Sequence, residues 1–154
     1  MRNLVYAIIV VFVLVSCDQN RVYEEYRTID SAGWNKDSIA QFNVGISDTN
    51  ASHNVYIDIR NKGNYPNSNI WLFLEIQEPG GTILTDTVEY VLAEKSGKWR
   101  GNGIGDLFDN QFIYRQNVRF ERSGEYQFRV RQGMRAETLK GIHDVGLRIE
   151  EQNE

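Results

Sequence analysis

Apolar and polar residues alternate along most of this chain, and this pattern limits its fold more than any other feature. In the first stretch Ala40, Phe42, Val44 and Ile46 alternate with polar or small residues. A period of two places the apolar side chains on one face of an extended strand, so each stretch predicts a half-buried β-strand. Further stretches carry the apolar sets of Val55–Ile59, Ile70–Ile76, Leu84–Tyr90, Phe112–Phe120, Tyr126–Val130 and Val145–Ile149.

Turn-forming residues separate the predicted strands. They read Asn-Lys-Gly at 61–63, Pro-Gly-Gly at 79–81, Ser-Gly at 96–97 and Ser-Gly at 123–124. A helical turn is favoured only at 136–141. About seven or eight short strands at this spacing predict an all-β fold, namely an antiparallel β-sandwich of the immunoglobulin-like or jelly-roll-like kind.

One pair of strands has a predicted register. If residues 121–124 form the turn of a hairpin, Phe120 faces Tyr126 on the inner side, and a shift by one residue would bury charged side chains. The outer face of this hairpin then carries four arginines, and Arg115 lies opposite Arg131. These arginines are the candidate partner-binding residues: Arg115, Arg119, Arg129 and Arg131.

The N-terminus predicts an exported, lipidated protein. Arg2 precedes an uncharged apolar run from Leu4 to Leu14. This run is shorter than the roughly 20 residues that a helix needs to cross a bilayer, and it is typical of a signal peptide. Residues 14–17 read Leu-Val-Ser-Cys and match the lipobox of bacterial lipoproteins. Cys17 is the sole cysteine, so we expect it to carry diacylglycerol and fatty-acyl chains such as palmitate, which anchor the protein to a membrane.

These signals divide the chain into four predicted parts. Residues 1–16 form a cleaved lipoprotein signal peptide, and residues 17–34 form a lipidated tether that leads into the fold. Residues 35–150 form the β-sandwich domain, and residues 151–154 form an acidic tail. Removal of Arg2 with the signal peptide changes the formal net charge from −4 to −5.

Charge is unevenly distributed along the mature chain. Residues 98–148 carry ten Lys and Arg against six Asp and Glu, whereas residues 17–97 carry six against twelve. Two interpretations are open for the arginines of the predicted hairpin. Carboxylates on adjacent strands neutralise them, or they bind an acidic protein partner.

The sequence shows no recognisable pattern of catalytic or metal-ligating residues. His53 and His143 lack partners at a metal-ligand spacing, and no nucleophile elbow or phosphate loop occurs. A glycine-rich run at 101–109 contains Asp106 and Asp109 but matches no known calcium loop, so we interpret it as a connection whose aspartates bind turn amides. We therefore expect no enzymatic activity, metal, cofactor, nucleic-acid partner or small-molecule substrate.

Three aromatic residues leave an alternative function open. Trp71 and Phe73 lie on the polar side of their strand, and Trp99 follows on a later loop. Exposed in one row, these rings would favour a glycan-binding envelope lipoprotein. Packed under a loop or against a protein, they would favour a structural component.

The C-terminal half carries a resemblance to a known family. The stretches concerned are Gly97–Asp106, Tyr114, Val118–Phe120, Ser123–Tyr126, Gly133–Arg135 and Leu139–Glu150. With the lipobox at Cys17 and the total length, they resemble the GldH family of gliding-motility lipoproteins over essentially the whole chain. The resemblance implies a bacterium of the Bacteroidetes phylum. It also implies a non-catalytic assembly role in a gliding machinery linked to type IX secretion, through contacts with other envelope proteins.

The resemblance also bears on location and modification. Asp18 resembles an enterobacterial signal for inner-membrane retention, a rule that need not hold in this phylum. Glu24 and Glu25 lie too far along the chain for its surface-export signals. The favoured location is the outer membrane, facing the periplasm. Bacteria of this phylum O-glycosylate exported proteins at Asp followed by Ser or Thr and a small or aliphatic residue, which makes Ser31 and Ser38 candidate sites.

Overall fold

The computed structural model describes residues 18–152, which form β-strands joined by turns. The strands are β1 (Arg21–Thr28), β2 (Trp34–Asn35), β3 (Ala40–Ile46), β4 (His53–Lys62), β5 (Asn69–Gln77), β6 (Ile83–Val91), β7 (Asn102–Ile104), β8 (Leu107–Val118), β9 (Gly124–Gln132), β10 (Thr138–Leu139) and β11 (Ile142–Glu151). Only β2, β7 and β10 are shorter than four residues. Within the described range, no helix is long and apolar enough to span a membrane.

Two antiparallel sheets pack against each other. The five-stranded sheet has the order β1-β11-β4-β8-β7, and the four-stranded sheet has the order β3-β9-β5-β6. β2 and β10 form a small third sheet beside them. Because all described strand pairs are antiparallel, the all-β sandwich predicted from the alternating pattern is confirmed.

The core lies between the two large sheets and is built from the alternating apolar residues. Phe42 of β3 and Phe128 of β9 meet side chains such as Ile57 of β4 and Leu147 of β11, all of them buried. Burying a large apolar side chain contributes roughly 1.5–3 kcal/mol, so this interior supplies most of the favourable free energy of folding. Trp34 extends the core beneath the small sheet, where its Nε1 donates to the Ser38 carbonyl at 3.0 Å.

The structure differs from the sequence prediction at the N-terminal side of the domain. Much of the segment predicted as a tether is β1, which pairs with β11 from Arg21 to Thr28. Its sequence lacks the apolar alternation of the other strands, because the strand is held by backbone pairing, by two tyrosine rings and by ion pairs with Arg148. At the other end Glu151, predicted to open an acidic tail, belongs to β11 and pairs with His53.

The predicted hairpin between β8 and β9 is wrong. β8 pairs with β4 and β7 in the five-stranded sheet, whereas β9 lies between β3 and β5 in the four-stranded sheet. The chain crosses from one sheet to the other at 119–123, after Asn117 bends it with a φ of 54°. The hydroxyl of Tyr126 donates to the Arg122 carbonyl at 3.0 Å and fixes this corner. Alternation alone does not distinguish a corner between sheets from a hairpin within one sheet.

Candidate partner-binding face

The outer face of the four-stranded sheet carries two exposed aromatic side chains. In β5 Ile70, Leu72 and Leu74 point into the core, and the alternation of the strand therefore directs Trp71 and Phe73 outward. The exposed fractions are 40% for Trp71 and 45% for Phe73. Their predicted outward orientation is confirmed.

Neighbouring strands complete a mixed apolar and cationic surface around these rings. Phe73 lies opposite Arg131 of β9 on one side and Thr87 of β6 on the other. Gly133 leaves room for the Phe73 ring, since a Cβ there would lie 3.3 Å from its carbon atoms. We call the surface formed by Trp71, Phe73, Thr87 and Arg131 the aromatic face.

Two open hollows flank the aromatic face. One has a volume of about 500 Å³ and lies beside Phe73, where Arg129, Arg131 and Thr85 line it. The other has a volume of about 600 Å³ and lies beside Trp71, where Asn69 is among its lining residues. These volumes are in the range of small-ligand sites, but the hollows are open and shallow rather than enclosed.

The arginines on this sheet differ in their pairing. Arg129 forms an ion pair with Glu75 on the adjacent β5, and its Nη2 lies 3.4 Å from the Gln77 oxygen. Arg131 is exposed and has no ion-pair partner within residues 18–152. It is therefore the better placed of the two to bind a carboxylate from outside.

The other two predicted arginines lie elsewhere. Arg115 belongs to β8 of the opposite sheet and pairs with Asp86 of β6 at 3.2 Å, and Arg119 lies in the corner with its Nε 3.4 Å from the Ser52 hydroxyl. The four arginines thus do not share a face, because β8 and β9 are in different sheets. The structure favours neutralisation for two of them, since Arg129 pairs with a carboxylate of the adjacent strand and Arg115 with a carboxylate of the opposite sheet. Binding of an acidic partner stays a prediction.

A buried carboxylate lies on the outer side of the five-stranded sheet. Asp58 of β4 is 1% exposed, and the Tyr26 hydroxyl donates to its Oδ2 at 3.3 Å. The Tyr26 ring covers it because Gly146 has no side chain, and a Cβ there would lie 2.7 Å from the ring. Burial raises the pKa of Asp58 to about 6, although hydrogen bonds from Gln111 and Tyr26 oppose the rise. Arg60 closes the cluster with its guanidinium 3.9 Å from the centre of the Tyr26 ring.

The cluster around Asp58 is packed rather than open. None of the principal hollows of the described surface is lined by Asp58 or Tyr26. A general acid or base must lie within hydrogen-bond reach of the group it protonates, so a covered carboxylate is poorly placed for that role. We interpret this cluster as part of the architecture.

The remaining aromatic and histidine candidates are tied into the fold. Trp99 is half-buried between Tyr65 and Phe108, with ring centroids 6.3 Å and 5.7 Å away, so it does not join the aromatic face. His53 is buried against Phe120 at 5.3 Å, and His143 Nδ1 lies 2.6 Å from Asp144 Oδ2.

The glycine-rich run at 101–109 is a hairpin in which a turn at 105–106 joins β7 to β8, and most of the run is therefore strand and not connection. Asp106 Oδ1 accepts a hydrogen bond from the Gly63 amide at 3.1 Å, as predicted for a turn aspartate. Asp109 differs from the prediction, because it lies in β8 and pairs with Arg60 at 3.5 Å. Across the part of the chain that the structure describes, no group of three His, Cys, Asp or Glu side chains is arranged to hold a metal ion.

The two predicted O-glycosylation sites are accessible. Ser31 and Ser38 are exposed and lie at the two ends of the segment around β2. Glycosylation of these serines stays a prediction. Cys17 and the predicted signal peptide lie outside the described residues.

Comparison with known proteins gives the family. The GldH lipoprotein family matches residues 21–149, which include ten complete strands and all but the end of β11. The chain belongs to the GldH lipoprotein family. The resemblance seen in the sequence is therefore confirmed, and the match begins at the first residue of β1.

Two relatives of this GldH-family chain are similar over nearly their whole length. The gliding motility lipoprotein GldH homolog of Christiangramia forsetii is 38% identical, over 97% of this chain and 98% of the relative. The gliding motility lipoprotein GldH of Flavobacterium johnsoniae is 36% identical, over 91% of each.

Solved structures offer a distant likeness to the GldH-family fold. A family GH115 4-O-methyl-α-glucuronidase matches with a TM-score of 0.44 and 12% identity. The match covers 90% of this chain but only 18% of the glucuronidase. A likeness this weak carries no functional argument.

Proposed function

We propose that this lipoprotein acts in gliding motility as a non-catalytic assembly component that binds another envelope protein through the aromatic face. The observation that carries this proposal is the exposure of Trp71 and Phe73 beside the unpaired Arg131. Aromatic residues and arginine are enriched in protein interfaces, and a few such side chains supply most of the binding energy.

Anchoring and location complete the proposal. Lipid on Cys17 would hold the domain at the outer membrane, on the periplasmic side, in an apparatus linked to type IX secretion. The family's description as lipoproteins supports the anchor, and the names of the relatives support the link to gliding. With the anchor supplied by lipid, the aromatic face is left for protein contact.

A double substitution on the aromatic face tests the proposed contact. Trp71→Ala with Phe73→Ala should leave the fold intact, because both side chains point away from the core. Truncating an interface hot spot costs about 2 kcal/mol, so each change should weaken partner binding by roughly 30-fold. Gliding and recovery of the crosslinked partner from native membranes should both be lost.

Ile113→Ala is the matched control. Ile113 has the same 40% exposure as Trp71 but lies on the five-stranded sheet. It should keep both gliding and partner recovery. Normal gliding in a folded, normally abundant Trp71→Ala, Phe73→Ala variant would overturn the proposed binding face.

Glycan binding is the second candidate, and one observation favours it. Two exposed rings two residues apart on one strand, with Asn69 and Arg131 nearby, suit stacking and hydrogen bonding to a sugar chain. Trp99 does not contribute, which shortens the predicted row. A change in the fluorescence of Trp71 that saturates as envelope polysaccharide is added would favour this candidate. Crosslinks only to protein would favour assembly.

A further inference from the structure

We propose that β6 pairs with β6 of a second copy of this chain, antiparallel and about a two-fold axis at Thr87. The two four-stranded sheets would then form one continuous eight-stranded sheet. The inference does not depend on what binds the aromatic face. It rests on the state of the sheet edges and on the pattern of β6.

Three of the four edge strands of the two large sheets carry features that discourage pairing. β1 is rich in charged residues and has a register shift between Arg21 and Tyr23. In β3 the Gln41 carbonyl is already occupied, because Arg27 Nε donates to it at 2.9 Å. β7 has only three residues. Charges, bulges, covering side chains and short length are the usual ways in which proteins protect a sheet edge.

β6 carries two acidic residues, Asp86 and Glu89, but it is neither short nor irregular. It has nine residues and pairs with β5 in unbroken register from Ile83 to Val91. Its sequence, ILTDTVEYV, contains no Lys, Pro or Gly. The neighbouring part of β8 is less regular, with a register shift around Val55 and a left-handed Asn117. A long, regular edge without such residues is a surface on which another strand can add.

The hydrogen-bonding groups of alternate β6 residues point away from the sheet. Trp71 directs its carbonyl and amide toward β9, where they meet the Gly133 amide at 2.7 Å and the Met134 sulfur at 3.3 Å. The antiparallel alternation therefore leaves Glu89, which lies opposite Trp71, with its backbone groups directed outward. Every second residue of β6 has the same orientation, so the backbone amides and carbonyls of five residues point outward: Ile83, Thr85, Thr87, Glu89 and Val91.

One outward amide is occupied within the single chain. The Thr87 amide donates to Asp86 Oδ1 at 2.8 Å, while Asp86 Oδ2 accepts from Tyr114 and Arg115. Pairing of two copies would transfer the Thr87 amide to the partner's Thr87 carbonyl. Asp86 would keep its contacts with β8, so the exchange leaves no carboxylate without a partner.

The β6 sequence is self-complementary about Thr87. On the outer face Ile83 would lie opposite Val91 of the second copy, and Thr87 opposite its own equivalent. On the inner face Leu84 would lie opposite Tyr90. Ile83, Leu84 and Val91 are 52%, 49% and 40% exposed, and this pairing would cover all three.

Overlap and charge together select this register. Centred on Thr87, the pairing includes all nine residues of β6 and sets Glu89 against Thr85 and Asp86 against Val88, so no like charges oppose each other. Moving the axis to Asp86 or Glu89 would oppose two carboxylates, and moving it to Thr85 or Val88 would shorten the overlap.

The proposed pairing suits two proteins anchored in one membrane. A two-fold axis between antiparallel strands stands perpendicular to the sheet, so both copies keep their five-stranded sheets on the same side. β1 belongs to that sheet and begins four residues after Cys17. Both proposed lipid anchors would therefore reach the same bilayer.

Disulfide formation in native membranes tests the pairing and its register. Thr87→Cys would place two thiols opposite each other with Cα atoms about 5.5 Å apart, which a disulfide can span. In the matched control Thr85→Cys, the two cysteines would be offset by four residues, or about 14 Å along the strand, which is too far. The wild-type chain controls for Cys17. We expect a species of twice the mass from Thr87→Cys alone.

A second measurement needs no crosslink. Full-length protein in detergent should have the mass of two chains by light scattering, and Thr87→Lys should reduce it to one. Asn43→Lys, on the protected edge strand β3, should keep two. Equal crosslinking of both cysteine variants, no crosslinking, a crosslink only to another protein, or a one-chain mass for the wild type would each overturn the proposal.

Discussion

The two edges of the four-stranded sheet differ in how they are completed. On β3 the inward side chains are almost wholly buried, with exposed fractions of 0% for Phe42 and 0% for Val44. On β6 the inward Leu84 is 49% exposed. The same alternating pattern thus builds a closed edge on one side of the sandwich and an open edge on the other.

The neighbouring strand of the opposite sheet accounts for the difference. On the closed side Arg27 of β1 lies across β3, with its guanidinium 5.0 Å from the centre of the Phe42 ring. On the open side the sheets leave a cavity of about 180 Å³ between them, with Leu84 and Phe128 in its lining. The contacts across that side include the Arg115–Asp86 ion pair. A strand pattern predicts which side chains point inward, but the opposite sheet decides whether they are covered.

Truncating one inward side chain on each edge should give the largest contrast. Phe42→Ala leaves a cavity in the closed side and should lower the free energy of unfolding by about 3–5 kcal/mol. Leu84→Ala removes a half-exposed side chain and should cost less than about 1.5 kcal/mol. Denaturant titration of both variants measures the difference. If both variants lost similar stability, Leu84 would have to be covered in the wild-type protein in solution, which would contradict the open edge.

A pH titration of stability tests the packing near the closed side. Since the pKa of Asp58 is about 6 in the folded state and about 3.9 in an unfolded chain, the folded state holds a proton between these values. The stability that the protonated Asp58 carboxyl contributes is therefore lost as the pH rises from about 4 to 6. Asp58→Asn removes the buried charge and should gain about 2 kcal/mol at pH 7.

The same titration distinguishes burial from a general charge effect. Asp37→Asn removes an equal charge from an exposed position and should not reproduce the gain. Loss of the Tyr26 contact would show as a destabilised Asp58→Asn protein at every pH, and that result would contradict the assigned role of burial.

Removing one arginine from each side should give the smallest effects. Arg27→Ala frees the Gln41 carbonyl and should cost about 1 kcal/mol, with faster amide exchange in β3. Arg115→Ala breaks an exposed ion pair with Asp86 and should cost at most about 0.5 kcal/mol. If the amide hydrogen-exchange rates in β3 did not change in Arg27→Ala, Arg27 would have no role in closing that edge.

Alternation was sufficient to predict the sandwich and the outward direction of Trp71 and Phe73. It did not predict β1, because Tyr26 and Glu24 are held there by an aromatic–glycine contact and by Arg148 rather than by an apolar row. Alternation also did not predict the pairing of β8, because the corner between β8 and β9 depends on the Tyr126 hydroxyl, which donates to the Arg122 carbonyl. Partner strands are long-range information that local periodicity does not contain.

The position of β1 has a consequence for mechanical load. Asp18, at the start of the described chain, forms an ion pair with Arg148 of β11, and the same guanidinium lies 3.0 Å from Glu24. A pull on an N-terminal anchor would reach these contacts before it reached the core. Since ion pairs weaken with added salt whereas the backbone pairing of β1 with β11 does not, the force that first separates the start of β1 from β11 should fall with ionic strength.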